Sequence, residues 1–414
     1  MSITHAVYML TGLLVFLIPF PRLTALHEIT FYTALALTLF LHFSGKRPFL
    51  IKSPLTSSFA LFLAWSLLGL FFALDPLNSL NDLYGHFIKY LIFYYLTVNC
   101  FASYQGVLTL VWILAIAATL FSGSAFVSHY VFSQYPVSSR LGVPAVLGLT
   151  SDYIGYFTLP AILLCLTLIR EGASARSKFF SAILAAGAAS ATLLTQSRAT
   201  FIAAFCSVAV LYSRKRAAFV AAVLLLFSLI FFVPSFGDRF TVRQFTHDQR
   251  VGIYLTTWHV IRDYPLAGIG FGMQTYGNPN MIDLAAYSQR VPAEYRQDPP
   301  IRSPHNTLLD TMVRTGAIGL LIYLYMQLAF MRMGLTVIRR SQDPRIKHLG
   351  LCVLSVYGAV FIQGLFSDGA FGPQAWMLYF SFALMTILWN IVEATHYTPA
   401  NGYRHAEQKS MMDE

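Results

Sequence analysis

About twelve stretches of the chain are long and almost uncharged, each approaching the ~20 apolar residues that a helix needs to cross a ~30 Å hydrocarbon core. They lie near residues 6–21, 29–45, 57–74, 82–101, 106–128, 152–169, 178–195, 198–213, 217–234, 315–331, 348–366 and 373–392. In lipid a segment must satisfy its own backbone polar groups, which a helix does. Composition agrees: 11% of the 414 residues are charged, against roughly a quarter in an ordinary soluble domain, which excludes a soluble globular enzyme. A mean hydropathy of +0.60 with 35 Phe and 23 Tyr excludes disorder. The expected fold class is an all-α integral membrane protein of about twelve spans. The first stretch has no basic leader and no small-residue cleavage site, so it reads as a retained span.

The net charge of +10 is accounted for by topology, so nucleic acid is not an expected partner. With a cytoplasmic N-terminus, one side collects Lys46, Arg47, Lys52, Arg170, Arg176, Lys178, Arg214, Lys215, Arg216, Arg332, Arg339, Arg340, Arg345, Lys347, Arg404 and Lys409. The short loops of the other side hold Arg22, Arg140 and Arg198. Sixteen against three places both termini in the cytoplasm. Cys100, Cys165, Cys206 and Cys352 fall inside apolar runs with no disulfide or zinc spacing, and read as small hydrophobes.

The expected organisation is nine spans over 1–234, one large external loop over 235–304, three spans over 305–393 and a cytoplasmic tail over 394–414, disordered beyond Thr398. Loops of such length are functional or disordered. Here Phe236, Phe240, Phe245, Tyr254, Trp258, Tyr264, Phe271 and Tyr276 argue for order. Between Asp248 and Tyr264 the residues Val251, Tyr254, Leu255, Trp258 and Ile261 recur at helical spacing. Pro265 and the Gly268, Gly270, Gly272 turn end that pattern, which predicts an amphipathic helix at the membrane surface.

The chemistry-bearing residues gather on the external side. Ser303, Pro304, His305 and Asn306 precede a helical pattern, with Ser303 expected as N-cap and Pro304 at the first helical position. His305 then sits in a first helical turn, where the dipole disfavours a second positive charge and leaves the imidazole able to accept a proton. By itself a lone histidine there is more often a capping or interfacial residue.

The spacing from His305-Asn306 across nine residues to Gly316, and two more to Gly319, resembles the His-(Asn/Ser/Gln)-x9-Gly-x-x-(Gly/Thr/Tyr) signature of bacterial O-antigen ligases. The resemblance extends to Thr195-Gln196-Ser197-Arg198, to Arg250 with Trp258, and to the Pro265-to-Gly270 turn, and it covers most of the chain. It implies a GT-C-type membrane glycosyltransferase of the bacterial inner membrane with its active site facing the periplasm. The implied donor is an O antigen on undecaprenyl diphosphate, and the implied acceptor a hydroxyl of lipid A-core oligosaccharide. The expected reaction is one inverting displacement with His305 as base.

The arginines fit such a donor. Arg198 stands at the mouth of a span, where a charge reaching the helix centre costs ~2.5 to 3.5 kcal/mol, so it needs an anion or water. The large loop carries seven Arg and no Lys against six acids, which favours planar, bidentate recognition of phosphate over simple charge attraction. Arg198 and Arg250 are the expected diphosphate ligands; pairing with nearby Asp or headgroup contact accounts for the other loop arginines.

No Asp-x-Asp and no His/Glu cluster of zinc spacing occurs, so no metal and no cofactor is expected. Supporting candidates are His86 and Lys89, three apart on one helix face, Asn306, Asp368, which is either an orienting carboxylate or a turn residue, and Arg140, for which a plain interfacial role is favoured. An O-antigen polymerase typically has two sizeable external loops, whereas one is seen here; a protein O-oligosaccharyltransferase stays open. A twelve-span transporter or flippase also fits the composition, but paired interrupted helices are not found.

Overall fold

The computed structural model describes residues 2–45, 49–142, 150–172, 174–212, 220, 249–367 and 371–410. Those residues are 76% helical and include no strand. In order they form α1 (Ile3–Leu17), α2 (Thr24–Phe43), α3 (Thr56–Gly69), α4 (Pro76–Leu83), a π-helical turn (Tyr84–Ile88) and α5 (Lys89–Cys100). Then come α6 (Tyr104–Phe126) with a second π-helical turn (Val127–Phe132), α7 (Ser151–Glu171), α8 (Ala175–Thr195) and α9 (Arg198–Tyr212). The remainder is α10 (Gln249–Asp263), α11 (Leu284–Gln289), α12 (Thr307–Arg340), α13 (Pro344–Gly364) and α14 (Ala375–Ser410).

Hydroxyl and carboxylate caps start many of these helices. Ser2, Ser103, Thr150, Ser174 and Asp343 each accept a backbone N–H of the first turn, and Pro76 and Pro344 open α4 and α13. Among the described residues seven helices are long and apolar enough to cross a membrane, and α1, α3 and α9 are shorter apolar helices. The protein is a multi-pass membrane protein. The expected ninth span, 217–234, lies almost wholly outside the described residues. α14 continues to Ser410, past the point where a disordered tail is expected; once a helix is nucleated, each further turn costs little.

The bundle is held by rings rather than by charges. Phe59, Phe62, Phe87, Tyr90, Tyr94, Phe330, Tyr379 and Phe382 are buried in one cluster. Most of their rings meet edge-on or tilted, as Phe59 with Tyr94 at 5.1 Å and Phe330 with Phe382 at 5.1 Å, while Phe59 stacks on Tyr379 at 6.1 Å. Tyr94 is at the centre, and its hydroxyl reaches Ser53 at 2.9 Å and Thr386 at 2.8 Å.

The described part of the large loop is ordered by its own small core of Val260, Ile261, Ile269, Tyr276, Ile282, Leu284 and Val313. α10 forms within a residue of the expected bounds, but its buried face is Gly252, Ile253, Thr256, Thr257, Val260 and Ile261. Trp258, expected on the apolar face, is 45% exposed. Close approach decides the phase: a Cβ on Gly252 would strike the Tyr295 carbonyl, so the small residues turn inward and the bulky ring turns out.

Candidate functional site

Arg198 and Arg250 are 52 residues apart, and the fold brings them into one cavity. Gln196 adopts the left-handed conformation, φ 47°, reversing the chain between α8 and α9. The Ser197 hydroxyl accepts from Thr200 N–H at 3.3 Å and so caps α9, while donating to Asp152 Oδ1 at 2.6 Å. Arg198 is therefore the first helical residue, and Arg250 stands in the first turn of α10. Both guanidinium groups line a cavity of about 180 Å³ with Ala199, Ile202, Val251, Tyr254 and Phe366. Arg250 lies 5.7 Å over the Phe366 ring and its Nη2 donates to the Phe366 carbonyl at 3.4 Å. Two cations, one of them Arg198 at the capped N-terminus of α9, walled by apolar side chains, make an environment suited to an anion attached to a hydrocarbon.

Tyr254, one turn along α10, connects this cavity to His305. Its hydroxyl lies 3.2 Å from the Leu365 carbonyl and 3.4 Å from the carbonyl of His305. The local structure around His305 differs from expectation. Asn306, not Ser303, caps α12: its Oδ1 accepts from Leu308 N–H at 2.9 Å and Leu309 N–H at 3.1 Å, and its Nδ2 donates to the Leu365 carbonyl at 2.9 Å. His305 precedes the cap in the left-handed region, φ 48°. It is thus outside the first turn, half-buried, with its ring set by a strained backbone and not by helical phase. The reason is local: Pro304 disfavours helical backbone at Ser303, and an Asn that reaches two N–H groups takes the cap.

The glycine of the histidine pattern has a structural purpose. Gly316 has φ 68° and breaks α12, and a Cβ there would strike the Leu266 carbonyl. The break frees the carbonyls of Val313 and Arg314, which accept from Ile269 N–H at 2.9 Å and Gly270 N–H at 3.1 Å, while Ala317 N–H donates to the Pro265 carbonyl at 2.8 Å. The Arg314 side chain completes the latch, with Nε to Asp310 Oδ1 at 2.6 Å and Nη1 to the Gly272 carbonyl at 2.6 Å. The 265–272 turn and the histidine pattern are therefore one unit, which ties the end of α10 to α12. Sequence reasoning missed Arg314 and the link made by Tyr254; a charged residue inside an otherwise apolar helical pattern was the available signal for Arg314.

The remaining candidates fall elsewhere. Arg140 donates through Nε to the Thr195 carbonyl at 3.0 Å and lies 3.6 Å from Asp152, bracing the turn before Arg198. His86, within the first π-helical turn, is 3.6 Å from Asp82 and 3.2 Å from the Tyr90 hydroxyl. Lys89 begins α5 and donates to both oxygens of Glu28 at 2.7 Å. His86 and Lys89 share a separate cavity that does not include the arginines. Asp368 lies outside the described residues. In the loop, Arg290 pairs with Asp263 at 2.9 Å, and the Tyr287 hydroxyl together with Arg290 holds the Asp263 carboxyl below its ordinary range. Among the described residues no group of three or more His, Cys, Asp or Glu is placed to hold a metal ion.

The described residues thus form a multi-pass helical membrane protein with a cavity lined by two arginines from α9 and α10. Residues 180–324 match the family model for the O-antigen ligase domain, Wzy_C, and this supports assignment of the chain to the O-antigen ligase family. The matched segment contains Arg198, Arg250, His305 and Gly316. The match supports an O-antigen ligase or polymerase type of function in general terms, glycosyltransferase-like, and that family implies polysaccharide and lipid-linked substrates and membrane lipids as partners. No curated protein matches the chain.

Proposed function

We propose that the protein is an O-antigen ligase that moves a glycan from undecaprenyl diphosphate to a hydroxyl of lipid A-core oligosaccharide at the periplasmic face of the bacterial inner membrane. The reading includes twelve spans of GT-C type, both termini in the cytoplasm, and chemistry without a metal. The observation that carries it is the shared cavity of Arg198 and Arg250, linked through Tyr254 to the backbone of His305. Its charged head and apolar walls match a diphosphate on a long hydrocarbon.

In the reaction the imidazole of His305 takes the proton of the acceptor hydroxyl. That oxygen bonds to the anomeric carbon of the donor while the carbon–oxygen bond to the diphosphate breaks, and the electron pair leaves on the phosphate. Arg198 and Arg250 neutralise the developing charge. A diphosphate is a good leaving group, so charge neutralisation counts for more than a general acid. A positioned base contributes ~10² to 10⁴ in rate.

The test combines purified protein, lipid-linked glycan and lipid A-core in chelator, with the products resolved on a gel. Glycan on the core is expected, and His305→Ala is expected to retain less than about a tenth of it, tenfold being only 1.36 kcal/mol. Longer lipid-linked glycan with an unmodified core would make the protein a polymerase and overturn the reading.

A further inference from the structure

A second cavity, of about 290 Å³, opens at the same end of the bundle, between the start of α2, the first π-helical turn and the start of α14. Its walls include His27, Glu28, His86, Lys89, Tyr90 and Trp376. Four features set it apart from a packing defect. Lys89, 15% exposed, and Glu28 neutralise one another, so that pair presents polar atoms without net charge. The Trp376 ring is fixed by T-shaped contacts with His27 at 4.7 Å and Tyr90 at 4.5 Å. The His27 Nε2 is buried and has no hydrogen-bond partner among the described residues, and a buried polar atom of that kind calls for one. The wall itself is a π-helical turn, a departure from α geometry that is frequent at functional sites.

A neutral pair of donors and acceptors beside fixed rings suits a polyhydroxylated ring, which stacks its CH face and hydrogen-bonds its hydroxyls; it does not suit a diphosphate. We infer that this cavity is a saccharide subsite that receives the terminal sugar of the acceptor. The inference rests on the ligase reading. The donor diphosphate belongs to the arginine cavity, and an inverting displacement brings the nucleophile from the side away from the leaving group, so the acceptor sugar needs a separate seat. α7 links the surroundings of the two cavities. Asp152, at the start of α7, holds Ser197 beside Arg198, while the next residue, Tyr153, lines the second cavity.

Gly85 lines the cavity, and a Cβ there would meet nothing within 4 Å, so Gly85→Leu fills the space while removing no contact. Equilibrium binding of delipidated core oligosaccharide to the full chain in nanodiscs, without donor, is compared for wild type, Gly85→Leu and Glu28→Gln, alongside acceptor and donor KM. Both variants are expected to weaken core binding and raise acceptor KM at least tenfold, with donor KM unchanged. Absent binding to wild type, unchanged affinity in both variants, or a rise confined to donor KM would overturn the inference. Wild type that binds core as expected yet transfers nothing to it would leave the subsite standing and remove the ligase reading instead.

Discussion

At the scale of single residues, two guanidinium groups and one imidazole carry the proposed chemistry, and their geometry matters beyond their charge. A guanidinium presents planar paired donors to a phosphate where an ammonium offers a point charge. Arg198→Lys and Arg250→Lys are therefore each expected to lower kcat/KM for the lipid-linked donor at least tenfold although the charge is kept, a loss of about 1.4 kcal/mol. Single-turnover kinetics with purified variants measures this, and a variant that kept more than half of wild-type turnover would show that charge alone suffices. The sequence singled these residues out by the spacing from His305 to Gly316 and by the absence of Lys from the Arg-bearing loop, not by their residue types alone. Tyr254 was not singled out: by helical phase it reads as one more apolar-face residue, and its polar contacts with the carbonyls of His305 and Leu365 exist only once α10, α12 and α13 are assembled.

At the scale of elements, α12 is two helical pieces joined at Gly316, and the joint is what the 265–272 turn grips. Gly316 lies at φ 68°, ψ −175°, a region essentially confined to glycine that costs an L-residue about 1–3 kcal/mol, and the added Cβ would also meet the Leu266 backbone, which cannot rotate away. Gly316→Ala is expected to lower the thermal midpoint well below that of Gly319→Ala, whose Cβ would meet mainly the Thr315 side chain. Arg314→Leu, which leaves Asp310 buried without its ion pair, is expected to cost about 3–5 kcal/mol. Thermal unfolding of the three variants in one detergent ranks them, and equal midpoints for the two glycine variants would refute the kink as the reason for Gly316. The start of α12 was misplaced by the sequence reading because two caps competed there, and the outcome depended on Leu365 of another helix, to which Asn306 is also bonded.

At the scale of the whole molecule, the distribution of Lys and Arg sets a topology that labelling can read. In a background with the four native cysteines changed to Ala, a single Cys at Asn280 is expected to react with a membrane-impermeant maleimide on intact spheroplasts, and one at Gln342 only after permeabilisation. The reverse pattern would invert the protein and put His305 on the cytoplasmic side. What the sequence by itself determined is the set of properties that follow from composition within a short window: apolar length sufficient for a multi-pass helical protein, the uneven sharing of basic residues between alternate loops, and the spacing between His305 and Gly316. Transfer of a segment from water to lipid depends on that segment alone, so these needed no partner. The tertiary structure decided which distant residues meet: Arg198 with Arg250, Lys89 with Glu28, and the carbonyls freed at Gly316 with the turn that takes them. Such contacts are made through space between side chains and backbone far apart in the chain, and no local periodicity encodes which helix packs beside which.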